Sequence, residues 1–296
     1  MPKSSQHPTL SSVPPEPPPH PPVVMIEGVE LHLAHPDRFT LHWVGQEELV
    51  KQLTAAWLVV DEDDQPLNPR VVGAPGVGKT TLAYATATRL GMETYLFQAT
   101  MDTRPEDLLI TPVIAENQRI KYVASPLVTA MIRGGVCVLD EGNRMGEKCW
   151  ASLAPLLDAR RYVESVIAGV KIKAHPAFRF CTTMNEDAST FDIPEYIQSR
   201  LQPQIFVDFP GEGEERRILK DNLPFADEAL LGYMVEFLQR AHQTGEPYSV
   251  RDGINVVRYA VKLMKQDGLT VVEAWRMALG MILGRKGVEE AGGASL

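Results

Sequence analysis

Cysteine is scarce, with only Cys137, Cys149 and Cys181 among 296 residues. So few thiols, odd in number, exclude a disulfide framework and point to a reducing compartment. No apolar run approaches the length of a membrane-spanning helix, and no charged-apolar-small leader opens the chain. A soluble, cytoplasmic protein without a membrane partner is expected. Positive charge is also short: 29 Lys and Arg against 38 Asp and Glu leave a net charge of -9. That balance argues against broad, sequence-independent binding to nucleic acid, while leaving room for a local basic patch. Apolar material is plentiful. At 44% hydrophobic and 23% charged, the composition is globular and can fill one large core or two ordinary ones.

The chain divides by pattern into three parts. Residues 1–22 are proline-rich, ending in PPEPPPHPP, and lack any apolar period, so a disordered or polyproline-like tail is expected. The segments MIEGVELHL and RFTLHWV then read as two short strands or a hairpin, followed by a helix over Gln46–Val60. From Arg70 to Pro210 short apolar strands alternate with helical stretches. This predicts an α/β fold: an αβα core with a five-stranded parallel sheet covered on both faces. The expected strands are Pro69–Val72, Thr94–Gln98, Val136–Leu139, Phe178–Thr183 and Gln204–Val207. Beyond Pro210 only helical spacing remains, over Gly213–Asn222, Asp227–His242, Ser249–Gln266 and Thr270–Gly284. The domain division is therefore a tail (1–22), a core (23–210) and a small all-α lid (211–296).

One loop carries the strongest chemical signal. Gly73-Ala74-Pro75-Gly76-Val77-Gly78-Lys79-Thr80, followed by Thr81, matches the phosphate-loop pattern G-x-x-x-x-G-K-[ST] and sits between an apolar strand and a helix former. Glycines let successive backbone N–H groups wrap a phosphate, and the helix N-terminus adds positive partial charge. Lys79 suits the β- and γ-phosphates and the Thr80 hydroxyl suits Mg²⁺. This marks a P-loop NTPase. No Asn-Lys-x-Asp guanine motif occurs, which favours ATP.

Two strand ends supply candidate partners. Val136-Cys137-Val138-Leu139 runs into Asp140-Glu141, at the edge of a parallel sheet where ligands bind. Asp140 there can hold Mg²⁺, and Glu141 can polarise a water for attack on the γ-phosphate. A base of this kind favours hydrolysis over transfer to an acceptor. A second buried strand, Phe178–Met184, delivers Asn185 in the same way.

The order GAPGVGKT, VCVLDEGNR, FCTTMN and PEYIQSR resembles the AAA+ ATPases, in particular the MoxR branch with its dynein-related module, over roughly Gly45 to Leu283. The resemblance implies a role for each matching position. Trp43–Glu48 is similar to the stretch packed near the adenine, and Asp140–Arg144 to an Asp-Glu-Ile-Asn-Arg signature, with Gly142 a departure. Asn185 matches the sensor-1 residue. Arg200 matches the arginine finger that reaches a neighbour's γ-phosphate, although Ser-Arg-Leu replaces the usual Asp-Arg-Phe. Arg251 resembles the sensor-2 arginine, with Val250 in place of proline. Thr100–Pro112 is similar to a pore-facing insert, and Arg161–Lys173 to the hairpin before sensor 1. An ATPase ring is implied, hexameric by family expectation, acting on a protein substrate through a separate adaptor with a von Willebrand A domain. No appended substrate domain is expected.

Two rival readings remain: a DNA-processing AAA+ motor, and a nucleotide-dependent scaffold that barely hydrolyses. A small-molecule kinase has less support, since the trailing helices resemble a lid. Weaker signals read as structure. His32, His35 and His42 lack cysteine or carboxylate companions at ligand spacing. Met131, Met145, Met184 and Met264 read as core filling, and Cys137 and Cys181 as buried strand residues.

Overall fold

The computed structural model describes residues 23–39, 43–115, 119–186 and 192–292. The proline-rich tail and His42 lie outside them. The central sheet has five strands: β3 (Arg70–Gly73), β4 (Thr94–Gln98), β7 (Val136–Asp140), β10 (Arg179–Asn185) and β11 (Gln204–Phe206). Their order is β11-β3-β10-β7-β4 and every pairing is parallel, as the alternating pattern predicts. Both faces are covered, so successive residues feed different cores. Val72, Cys137, Leu139 and Phe180 pack on one side, while Val71, Val136, Val138 and Cys181 pack on the other. Helices α1 (Glu47–Trp57) and α2 (Lys79–Arg89) cover the second side. The first side is covered by α4 (Pro126–Arg133) and α5 (Glu147–Leu153). Helix α4 shows how locally this is written: Ser125 caps its start, Pro126 opens it, and Gly134 ends it at positive φ.

A second sheet flanks the core, in the order β1-β2-β6-β5. It joins an N-terminal hairpin, β1 (Val23–Ile26) and β2 (Val29–His32), to a second hairpin, β5 (Ile110–Ile114) and β6 (Ile120–Ala124). The short helix α3 (Pro105–Leu108) precedes that second hairpin, so the segment expected as an insert at Thr100–Pro112 holds a helix and the start of a strand. A separate two-stranded hairpin, β8 (Tyr162–Ser165) and β9 (Val170–Lys173), fills the stretch expected before Asn185.

One expectation fails. RFTLHWV does not form a strand at its described residues Arg38, Phe39, Trp43 and Val44; the hairpin closes within Val23–His32 on Glu27-Gly28. The Phe39 N–H donates to the Tyr84 hydroxyl at 2.9 Å, and the Trp43 ring lies on the phosphate loop. Phe39 and Trp43, which fit a strand by pattern, serve instead as packing against α2 and the loop.

After β10 comes the one-turn helix α6 (Glu195–Gln198), with Pro194 at its N-cap. Helix α5 stops before Pro155. Four helices follow β11: α7 (Glu212–Asn222), α8 (Glu228–Gln243), α9 (Val250–Asp267) and α10 (Val271–Gly292), the last broken at Gly284. They enclose a core of their own around Leu219, Met234, Leu238, Val257 and Leu279. No helix among the described residues is long and apolar enough to cross a membrane.

Candidate functional site

The carboxyl ends of β3, β7 and β10 lie side by side, and the chemistry gathers there. The loop leaving β3 turns through Gly76 and Gly78, at φ +80° and +100°, which side chains other than hydrogen resist. Space demands glycine as well. A Cβ on Gly76 would stand 2.3 Å from Ser249 Oγ, and one on Gly78 would stand 3.1 Å from the Trp43 ring. Lys79 opens α2 and is buried, its ammonium donating to the carbonyls of Gly73 at 2.9 Å and Ala74 at 2.7 Å. Burial pulls its pKa down to about 8, against the opposing attraction of Asp140 and Glu141.

Asp140 is fixed from two sides. Thr80 Oγ1 donates to its Oδ1 at 2.6 Å, and Thr183 Oγ1 donates to the same oxygen. Thr183 Oγ1 in turn accepts the Glu141 backbone N–H at 2.9 Å. Glu141 sits at φ +54°, so the chain turns sharply after Asp140 and sends the second carboxylate elsewhere. Its Oε1 accepts from Asn185 Nδ2 at 2.9 Å. Its Oε2 accepts from Arg144 Nε at 2.6 Å and Gln98 Nε2 at 3.2 Å. Asn143 completes the corner by donating to the Asn185 carbonyl at 2.8 Å. Gly142 has its own reason: a Cβ there would stand 2.3 Å from Thr182 Oγ1 and 3.1 Å from the Trp150 ring.

Two hollows that share lining residues, Asp140 and Arg251 among them, lie over these groups. The smaller, about 70 Å³, is lined by the loop, Lys79, Thr80, Asp140, Glu141, Thr183, Asn185 and Arg251. The larger, about 400 Å³, runs outward past Trp43, Val44 and Val77 to Pro210, Ile218, Val250 and Ile254. Its mixed apolar wall suits a flat base and the smaller hollow suits phosphates, so the size and order of the two match a nucleotide. Arg251 reaches them from the lid, at the start of an α9 whose capping box pairs Ser249 with Asp252.

Residues 70–201 match the AAA domain of the dynein-related subfamily. The matched stretch spans the phosphate loop, both strand-end carboxylates, Asn185 and Arg200, and stops before Arg251. Among curated proteins, an uncharacterized protein of Staphylococcus haemolyticus is 26% identical over 205 residues, 68% of this chain and 77% of that one. An uncharacterized Staphylococcus aureus protein is 26% identical over 170 residues, 56% of this chain and 64% of that one, so the chain spans less than two thirds of it. Among solved structures, the Thermotoga maritima RuvB Holliday junction branch migration motor gives a TM-score of 0.54 at 17% identity, covering 79% of this chain and 70% of that one. A RuvB point variant gives 0.57 at 16% identity, covering 83% and 73%. The likeness is one of fold: the P-loop AAA core followed by a helical region.

The AAA fold thus brings together the whole set from Gly73 to Thr81 with Asp140, Glu141, Asn185 and Arg251. Arg200 stands apart and lines neither hollow. Sequence reasoning missed Thr183, Gln98 and Arg144. Thr183 had a usable signal, since it precedes Asn185 by two on a strand and must share its face. Gln98 ends β4, beside Asp140 in register, but only knowledge of the strand order places it there.

Proposed function

We propose that the chain is a Mg²⁺-dependent ATPase of the MoxR-like AAA+ kind, built from a core (23–210) and a lid (211–296). It works as a ring of identical subunits, a hexamer, and remodels a partner protein delivered by an adaptor with a von Willebrand A domain. The observation that carries the hydrolytic part is the division of labour between adjacent carboxylates. Asp140 is bound by two hydroxyls facing the phosphate loop, while Glu141 points to Asn185 and Arg144. The Thr80 hydroxyl and Asp140 carboxylate are hard oxygen donors that fit Mg²⁺, with its remaining positions left to phosphate and water. Held there, such an ion would supply positive charge to offset that of the phosphates.

The chain's own groups do the rest. Backbone N–H groups of Gly76–Thr80 cradle the phosphates, and Lys79 exchanges its two loop carbonyls for phosphate oxygens. Asn185 and Glu141 hold the attacking water in line, and Glu141 accepts its proton. Arg251 adds positive charge from the lid. Arg200 supplies a cation to the neighbouring subunit, which its position away from its own site supports. A site completed by the next subunit couples turnover to closed assembly.

The test is ATP hydrolysis against protein concentration, with mass measured in ATP. The expected result is a rate per subunit that rises with concentration, a ring mass, and turnover lost in both Glu141→Gln and Arg200→Ala. A flat rate with a silent Arg200→Ala leaves a monomeric nucleotide switch. Stimulation by DNA that fades with salt favours the DNA-motor reading.

A further inference from the structure

Arg200 is held by a small polar cluster 42 residues back in sequence. Its Nε lies 3.5 Å from Asp158 Oδ2, and its Nη1 donates to the Tyr196 carbonyl. Asp158 is at the same time the two-pronged partner of Arg160, Nε on Oδ1 at 3.0 Å and Nη2 on Oδ2 at 2.8 Å, and it accepts the Arg160 backbone N–H at 3.0 Å. These donors hold its carboxyl down to about 2. The two backbone stretches are stitched by buried Asn68, whose Nδ2 donates to the Leu157 carbonyl at 3.1 Å and the Arg200 carbonyl at 3.4 Å.

The charge count is the informative part. A carboxylate paired with one arginine would cancel the charge of a transition-state cation. Here Arg160 neutralises Asp158, so Arg200 gains an orienting partner while the trio keeps a net positive charge. A long arginine pays rotamer entropy each time it finds its target, and a fixed anchor removes that cost before the reaction. The Asp158–Arg160 pair is exposed, and exposed ion pairs add little stability, so fold support is a poor explanation of that pair.

We infer that Asp158, backed by Arg160 and Asn68, is a positioning residue that aims Arg200 at the nucleotide of the neighbouring subunit. The inference rests on the reading of Arg200 as a trans-acting cation. Its test compares Asp158→Asn, Asp158→Glu and Arg200→Ala at concentrations where assembly is complete. Asp158→Asn is expected to lower kcat roughly tenfold to a hundredfold, with KM for ATP and the assembled mass unchanged and partial recovery in Asp158→Glu. Mixing then separates aim from folding. Glu141→Gln subunits keep a well-aimed Arg200, so blended with Asp158→Asn subunits they are expected to give more turnover than both proteins measured alone. Normal kcat in Asp158→Asn beside a dead Arg200→Ala overturns the inference and spares the reading beneath it. So does a slow Asp158→Asn with altered KM or mass, or one that mixing fails to rescue. A silent Arg200→Ala overturns the reading itself.

Discussion

The core and the lid present their polar groups to the same hollow in opposite ways. Lys79, Thr183 and Asn185 are buried and hydrogen-bonded within the core, whereas Arg251 is exposed on the capped first turn of α9. The ends of β3, β7 and β10 are rigid because each of these strands is bonded on both sides, so a carboxylate placed there arrives with its geometry set. A helix terminus on a separate apolar core moves as that domain moves. The polar ties across the boundary include Gln46 N–H to Glu214 at 2.9 Å, Gln239 to the Pro210 carbonyl at 3.1 Å, and the stack of Phe209 on His242 at 4.0 Å. On the function proposed above, the hydrolytic geometry would reside in the core, while the lid would contribute a cation and the wall for the base.

Four measurements sharpen or break this contrast. The largest effect is expected from Glu141→Gln, which should lower kcat by about 10²–10⁴ and leave ATP affinity intact. Arg251→Ala should instead raise KM with a smaller loss of kcat. Equal kcat losses in steady-state kinetics would remove the distinction between fixed and adjustable groups.

Next is pH, read at Glu215, which is buried in the lid with one oxygen on Gln239 at 2.8 Å. Burial raises its carboxyl from 4.5 to about 7, with Gln239 opposing. The folded state therefore holds the proton more tightly than the unfolded chain. This contribution to stability is fully present below about 4.5 and is lost as pH rises through 7. Glu215→Gln is expected to abolish that slope and to stabilise the lid above pH 7 by up to about 3 kcal/mol, read by denaturant unfolding at several pH values. An unchanged slope would refute it.

Thr183→Val comes third. It strands the Glu141 N–H and removes a donor from Asp140, so a stability loss of about 1–3 kcal/mol and slower turnover are expected together. A variant that unfolds normally and hydrolyses normally would deny the sheet its role in setting the pair. The smallest effect belongs to Glu214→Ala, which deletes one tie between lid and core. About 1 kcal/mol should be lost, visible as faster proteolysis near Pro210, with the folded core unaffected.

Much of this site was legible because it is written in contiguous residues. The phosphate loop, the strand ending in Asp140-Glu141 and the strand ending in Asn185 each announce themselves within about ten positions. Arg251 was legible only through resemblance, since nothing local tells a lid arginine from a surface one. The misreading of RFTLHWV has a plain cause: alternating apolar residues fit a strand and a packed connector equally well until the partner is known. The flanking sheet was invisible for the same reason, because β2 pairs with β6, a strand some ninety residues later. The cluster at Asp158 follows suit. An Asp-Ala-Arg turn is ordinary until Asn68 draws the Arg200 segment against it.

By itself the sequence determined the α/β core, the helical region after Pro210 and the phosphate loop, because periodicity and turn chemistry act between near neighbours. Only the tertiary structure decided that Thr80 and Thr183 share one oxygen of Asp140, that Gln98 and Arg144 meet Glu141, and that Arg200 lines neither hollow. Those contacts depend on strand order and crossover direction, and the energy that selects them is the burial of both sheet faces at once.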